Sequence, residues 1–239
     1  MKRTATLAAS ALFVLPLTAL TGCGGSDKSE ADNKPDVSAT PARAVSPAQQ
    51  VQQQMLTGTE AAGYGMSKLR PDYLLAKTQK ELTVDKATCL PLGYAMNQLP
   101  IGSPQAHLTR VAAKKEPDGI LTYITLSSYA HGQAQATMAG LSTAVKSCAS
   151  GFAAKGPGGK NPYKTVRPET APTGGDEALA FAATFDAGGQ TQTVRTQVFR
   201  FHDTVVTYFA IDSQAFLKQS AGNARIPSAV VKAQNAKLG

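Results

Sequence analysis

The chain has 239 residues, three cysteines, no tryptophan and a formal net charge of +8, from 24 Lys/Arg against 16 Asp/Glu. That length bounds the globular part to a single domain of ordinary size, large enough to bury a substantial core, with two domains a weaker reading. The positive charge sits in the body: from residue 61 onward 19 Lys/Arg face 11 Asp/Glu, a difference of +8, whereas 24–60 has 3 against 5. A basic body suits anionic headgroups, wall polymers or an acidic partner, or it is charge spread over the surface for solubility. No aromatic-basic motif of an RNA-binding module occurs, which argues against nucleic acid as a partner.

The N-terminus reads as an export signal. Lys2 and Arg3 precede an uncharged apolar run from Thr4 to Leu20, and Thr21 and Gly22 are small. Pro16 interrupts the run, so it falls short of the roughly 20 continuous apolar residues of a spanning helix. Leu20-Thr21-Gly22-Cys23 resembles a bacterial lipobox. That resemblance predicts a signal peptide over 1–22 and a mature chain starting at a Cys23 that is lipidated through its thiol. The alternative is an ordinary secretory signal with an incidental cysteine. One acyl chain holds a protein to a bilayer only reversibly, and two or more hold it stably. A chain so acylated would sit on the cell membrane at its extracytoplasmic face. Residues 24–47 contain two valines and no Leu, Ile, Met or aromatic. Such a segment cannot bury enough surface to order itself, so 23–47 is expected to be a lipidated cysteine followed by a disordered tether. Its reach is about 25–30 Å.

The domain is expected over 48–239. Ser46-Pro47 before AQQVQQQML has the form of a helix start, Ser as N-cap and Pro at the first helical position. The Gly-interrupted stretch that follows reads as a loop leading to a short strand. In 88–99, Cys89, Leu92, Met96 and Leu99 share one helical face. Residues 106–113 and 120–128 read as strands joined by a turn at Pro117-Asp118-Gly119. In 132–149, Ala134, Met138, Leu141, Val145 and Cys148 recur at helical spacing. Residues 155–176 are rich in Gly and Pro and read as irregular. Segments 177–185, 191–201 and 204–211 read as three hairpin-linked strands, and Ile226-Pro227 opens a C-terminal helix. The expectation is an α+β fold: an antiparallel sheet of five or six strands with helices mainly on one face.

With Cys23 assigned to lipid, Cys89 and Cys148 remain. An even pair in an oxidising compartment points to one disulfide between them, the alternative being two unpaired buried thiols. Two thiols make no metal site, and no histidine lies at ligand spacing from either.

LTGTEAAGYG, a Cys opening one helix and another closing the next, GGDEALAF, and RFHDTVVTYFAI before a terminal helix together set a pattern. The pattern resembles actinobacterial lipoproteins related to the extracellular sensor domain of PknH-type receptor kinases, over about residues 48 to 239. The resemblance implies a sheet-and-helix domain with a cleft that binds a ligand outside the cell. Some members carry two disulfides, and this chain has cysteines for one. His202 stands where the family's turn has a glycine, and a left-handed turn tolerates His less readily.

Catalytic chemistry has no sequence signature here. His107, His131 and His202 belong to no HExxH pattern and read as structural or surface groups. No nucleophile elbow and no Ser-x-x-Lys occurs. Lys155 to Lys160, KGPGGK, lacks the spacing and the hydroxyl of a phosphate loop. Asp176 and Glu177 are adjacent, and on a strand neighbours point to opposite faces. The expectation is therefore a non-enzymatic protein without metal or cofactor that binds an envelope ligand or partner. Tyr123, Phe199 and Tyr208 are the candidate contact residues, placed on the strand face opposite the most apolar set. The rival readings are an envelope hydrolase with carboxylates assembled by the fold, and a lipid carrier with a large apolar cavity.

Overall fold

The computed structural model describes residues 45–58 and 60–239; the expected signal peptide, Cys23 and the tether as far as residue 44 lie outside the described residues. Helix α1 (Pro47–Gln54) begins as its sequence demands. The Ser46 hydroxyl accepts from the Gln49 N–H at 3.3 Å, and the Gln49 side chain accepts from the Ser46 N–H at 3.1 Å, a reciprocal capping box. Strands β1 (Tyr64–Lys68) and β2 (Thr83–Val84) follow, then the short helix α2 (Leu90–Ala95). Next come β3 (Ala106–Lys114) and β4 (Ile120–Ser128), helix α3 (Gln133–Ser147), and β5 (Phe152–Gly156) and β6 (Gly159–Glu169). The chain continues through β7 (Glu177–Ala187), β8 (Gln190–Phe201), β9 (Thr204–Asp212), α4 (Ser213–Leu217), β10 (Gly222–Asn223) and α5 (Ser228–Asn235).

All ten strands among the described residues belong to one sheet, in the order β1-β3-β4-β9-β8-β7-β6-β5-β2, with every neighbour on that path antiparallel and β10 alone parallel, beside β8. Strands β5 to β9 are a continuous meander that returns to β4. Helix α3 spans the gap, crossing one face of the sheet from β4, third from one edge, to β5, next to the other. The fold class is α+β as expected, but with ten strands rather than five or six.

Four of the additional strands are short or irregular. Strands β2 and β10 have two residues each, β6 lies in the Gly/Pro-rich stretch that reads as irregular, and β5 runs into its start. Pro162 and Pro168 both lie inside β6. They are tolerated because β6 pairs with β5 only through residue 163 and with β7 only from residue 163 onward. Each half thus has one unpaired side toward which a proline nitrogen can point without removing a ladder bond. A register shift between Tyr163 and Thr165 marks the changeover.

Helices cover both faces, not mainly one. On what we call the groove face, α2 and α3 place Leu92, Met96, Met138, Leu141 and Val145 against Phe181, Val198 and Val205. On the terminal face, α1 and α5 place Val51, Val230 and Val231 against Ile124, Leu126, Phe199, Val206 and Tyr208. The reason is visible in β9, where Val205 to Ala210 are all buried. A strand without polar alternation needs cover on both sides. Full burial of each large side chain contributes about 1.5–3 kcal/mol. Both cores and the whole sheet lie within residues 45–239, so this stretch carries what it needs to fold alone.

A buried glutamine ties the two ends of the domain together. Gln234 of α5 accepts from the Leu56 N–H at 3.0 Å and donates to the Gln54 carbonyl at 2.7 Å. Cys89 and Cys148 are disulfide-bonded, with Cα atoms 5.9 Å apart and both residues fully buried. The bond joins the start of α2 to the end of α3.

Candidate functional site

The groove face is not sealed along its length. Helix α3 packs over β6, β7 and β8, and the floor beyond it, on β3, β4 and β9, lies open beneath two adjoining cavities of about 410 and 470 Å³. Two rows of side chains make this floor through the strand register: Val111, Tyr123 and Phe209 in one, Ala113, Leu121 and Ile211 in the next. Tyr123 stacks on Phe209 with ring centroids 6.0 Å apart.

A split in the sheet shapes one wall. Strand β9 stays paired with β4 as far as Asp212, but its pairing with β8 ends at Ala210. Strand β10 takes the vacated position beside Gln192 and Thr193. Between them Asp212 caps α4 by accepting from the Ala215 N–H at 2.9 Å. This carries Phe216 over the floor, where it stacks on Phe185 at 5.7 Å, and leaves Leu217 84% exposed at the rim. The opposite wall is the segment around Leu74 and Leu75. It lies directly on the β5–β6 hairpin, where a Cβ on Gly158 would come within 2.2 Å of the Leu74 carbonyl oxygen. The Gly158 N–H donates to the Leu75 carbonyl at 2.9 Å. Gly156 and Gly158 of KGPGGK therefore serve close backbone approach. Leu74, Tyr123, Ile211 and Phe216 line both cavities, which are the two ends of one groove.

The ends differ in chemistry. At the larger, the lining is Leu69, Val111, Ala113, Leu121 and Leu217, with Lys68 and Arg70 at the mouth. The other holds a cluster of uncharged polar groups. Asn97 is 2% exposed; its amide donates to the Gly93 carbonyl at 2.7 Å and its oxygen accepts from the Asn161 amide at 2.9 Å. The Tyr163 hydroxyl interacts with both amides, and burial pushes its pKa well above the ordinary phenol value, so it stays a neutral donor and acceptor. Beside them Gln98 is held at φ 59°, a left-handed backbone that costs a non-glycine residue about 1 kcal/mol or more. The loop bearing Asn97 and Gln98 is anchored from below: the Tyr129 hydroxyl donates to the Ile101 carbonyl, and burial raises the Tyr129 pKa to about 12. The disulfide at the start of α2 anchors it from behind.

Of the three aromatics expected at a ligand site, Tyr123 lines the groove. Phe199 and Tyr208 do not join it; both are fully buried on the terminal face. Their rings meet edge to face at 5.9 Å, and the Tyr208 hydroxyl donates to Asn235 Oδ1 at 2.7 Å. The reason is register: Tyr208 pairs with Ile124 and so shares its face, whereas Tyr123 pairs with Phe209. The pleat divides these aromatics between the two faces, so no single reference face serves all three. Sequence reading missed Asn97, Asn161, Tyr163, Leu74 and Phe216, which lie in loops, in a proline-bearing strand or in a five-residue helix. The proline-spaced Asn161 and Tyr163 carried no periodic signal.

Among the described residues, Asp72 is the one carboxylate lining these two cavities, and no histidine lines either. No group of three or more His, Cys, Asp and Glu among the described residues could hold a metal. His131 and His202 are solvent-exposed, beside Asp203 and Asp176. Asp176 and Glu177, expected to diverge, converge on Arg200 at 3.0 and 3.3 Å. Asp176 precedes the strand, so strand alternation does not govern it. The Asp176 carboxylate also accepts from the backbone N–H of His202 at 2.6 Å, which is the main cause of its lowered pKa. That bond supports the β8–β9 turn, where His202 adopts φ 53°. Cys23 lies outside the described residues, and among those described no helix is long and apolar enough to cross a membrane.

No protein-family model matches the chain, and no curated protein sequence matches it. Among solved structures, it is similar to the extracellular domain of PknH from Mycobacterium tuberculosis, at 11% identity and a TM-score of 0.49, covering 82% of this chain and 96% of that one. It is also similar to an uncharacterized protein from Mycobacterium smegmatis, the Rv0999 ortholog, at 12% identity and a TM-score of 0.35, covering 83% and 98%.

Proposed function

We propose that this chain is a non-catalytic protein, held by lipid on Cys23 at the outer face of the cell membrane, whose domain binds a small ligand in the groove floored by Tyr123. The observation that carries the binding reading is the groove itself. Each end has the volume of a small-molecule site, about 300–1,000 Å³, and combines an apolar floor with a few convergent polar groups. A single lining carboxylate offers no acid–base pair for glycoside hydrolysis, which needs two carboxyl groups about 5–10 Å apart. The export signal, the lipobox-like run to Cys23 and a disulfide suited to an oxidising compartment support the location.

Two experiments test the two halves of this reading. N-phenyl-1-naphthylamine, an uncharged apolar dye, should fluoresce on binding residues 45–239, and Ala113→Phe, which fills the floor of the larger cavity, should abolish the signal. Equal fluorescence with the variant would place the dye elsewhere and sink the groove. Cys23→Ala should release the protein from membranes; a variant that still sediments with them would sink the anchor.

A further inference from the structure

We infer that the groove takes an amphiphile with one apolar chain and an uncharged, hydroxyl-rich head, the head at Asn97–Asn161–Tyr163 and the chain along Tyr123 toward Leu121. This rests on the groove being the ligand site and names its ligand class.

The polarity of the groove runs in one direction. Its polar end is a built cluster, with Asn97 almost fully buried and locked by hydrogen bonds to the Gly93 carbonyl and the Asn161 amide. Neutral amides and a phenol that stays protonated both donate and accept, which matches hydroxyl groups. No Lys, Arg or His lines that end among the described residues, and Asp72 beside it disfavours an anionic head. The other end is a trough of aliphatic side chains that opens at the exposed Leu217. Lys68 and Arg70 at its mouth stand in solvent and Arg70 already has a partner, so they offer a weaker anchor than the buried cluster. Gln98 stands where head and loop meet. Its left-handed backbone is strain held at the site by the packing of the loop around it. A glycine there would keep the backbone and lose only the side chain.

The test is calorimetric titration of residues 45–239 with octyl glucoside, octanoate, 1-octanol and glucose, each below any micellar concentration. Octyl glucoside should bind at least tenfold more tightly than octanoate or octanol, and glucose alone should bind too weakly to detect. Shortening the tail from octyl to heptyl should weaken binding about threefold to fourfold, the loss of one buried methylene. Gln98→Gly should weaken octyl glucoside at least threefold while leaving octanol unchanged, and Ala113→Phe should weaken both. The melting temperatures of the two variants, taken without ligand, establish that they fold. If octanoate binds best, the head lies at Lys68 and Arg70 and the assignment is wrong while the groove stands. If all three alkyl probes bind alike, and Gln98→Gly changes none, no head is read and the assignment is again wrong. If no alkyl probe binds, or Ala113→Phe changes nothing, the groove reading falls with it.

Discussion

Tyr208 and Phe209 are neighbours in β9, and they enter two different environments. Tyr208 faces α1 and α5, fully buried, with its ring against Phe199 and its hydroxyl on Asn235. Phe209 faces the groove, stacked on Tyr123 beneath an open cavity. The strand supplies aromatics to both faces, and the helices decide which face closes. On the terminal side two helices lie over the centre of the sheet and are joined by Gln234. On the groove side α3 packs toward β6, β7 and β8, and β3 and β4 are left with only loops and the five-residue α4 near them. An aromatic on a strand thus reports a packing surface, and lines an open cavity only where the crossing helix stops short.

This contrast can be broken at its strongest point first. Phe199→Ala removes a fully buried ring from the sealed face and should cost about 3–5 kcal/mol, read from chemical denaturation. Cys89→Ser releases α2 from α3, opening a loop of about 60 residues; the chain-entropy estimate is about 4 kcal/mol. The melting temperature should fall under oxidising conditions, and in reductant the difference from the natural chain should vanish. Gln234→Ala leaves the Leu56 N–H and the Gln54 carbonyl without partners and should cost about 1–3 kcal/mol. The loss should appear as faster hydrogen exchange where α1 meets α5, with the groove unaffected. Tyr123→Ala sharpens the comparison from the other side. Its ring is half-buried in an open groove, so it should cost well under half of what Phe199→Ala does. A larger loss would mean that the groove floor is core.

The smallest effect concerns acid. The lowered pKa of Asp176 means that its contribution is present above the unfolded carboxylate value and is lost as pH falls through the lowered one. The site is exposed, so the change is local. The natural chain should show acid-induced loosening of the β8–β9 turn, seen as amide exchange at His202; Asp176→Asn should loosen the turn already near neutral pH and erase that acid response. Persistence of that acid response in the variant would assign it to another group.

Much of the architecture is written locally. Ser46-Pro47 with Gln49 starts α1, the 4-3-4-3 spacing from Ala134 to Cys148 sets α3, and Pro117-Asp118-Gly119 and His202-Asp203 turn the β3–β4 and β8–β9 hairpins. Each of these depends on residues within a few positions of one another, and periodicity or turn chemistry suffices to read them. The pairing of Cys89 with Cys148 was legible for a similar reason, since two thiols on apolar stripes leave one partner each. The unalternating run in β9 also held the sign that both faces are covered.

What the local pattern could not decide was where cover ends. Pro162 and Pro168 fit a strand only because β6 changes partners midway. Leu74 reaches the groove only because Gly158 lets its backbone lie on a hairpin more than 80 positions away. Asn97 meets Asn161 across 64 positions. The amino-acid order by itself determined the long, regularly patterned helices and strands and which side chains prefer burial, because those preferences are properties of short stretches. The tertiary structure alone decided which face stays open, because a cavity is the space that distant segments fail to fill.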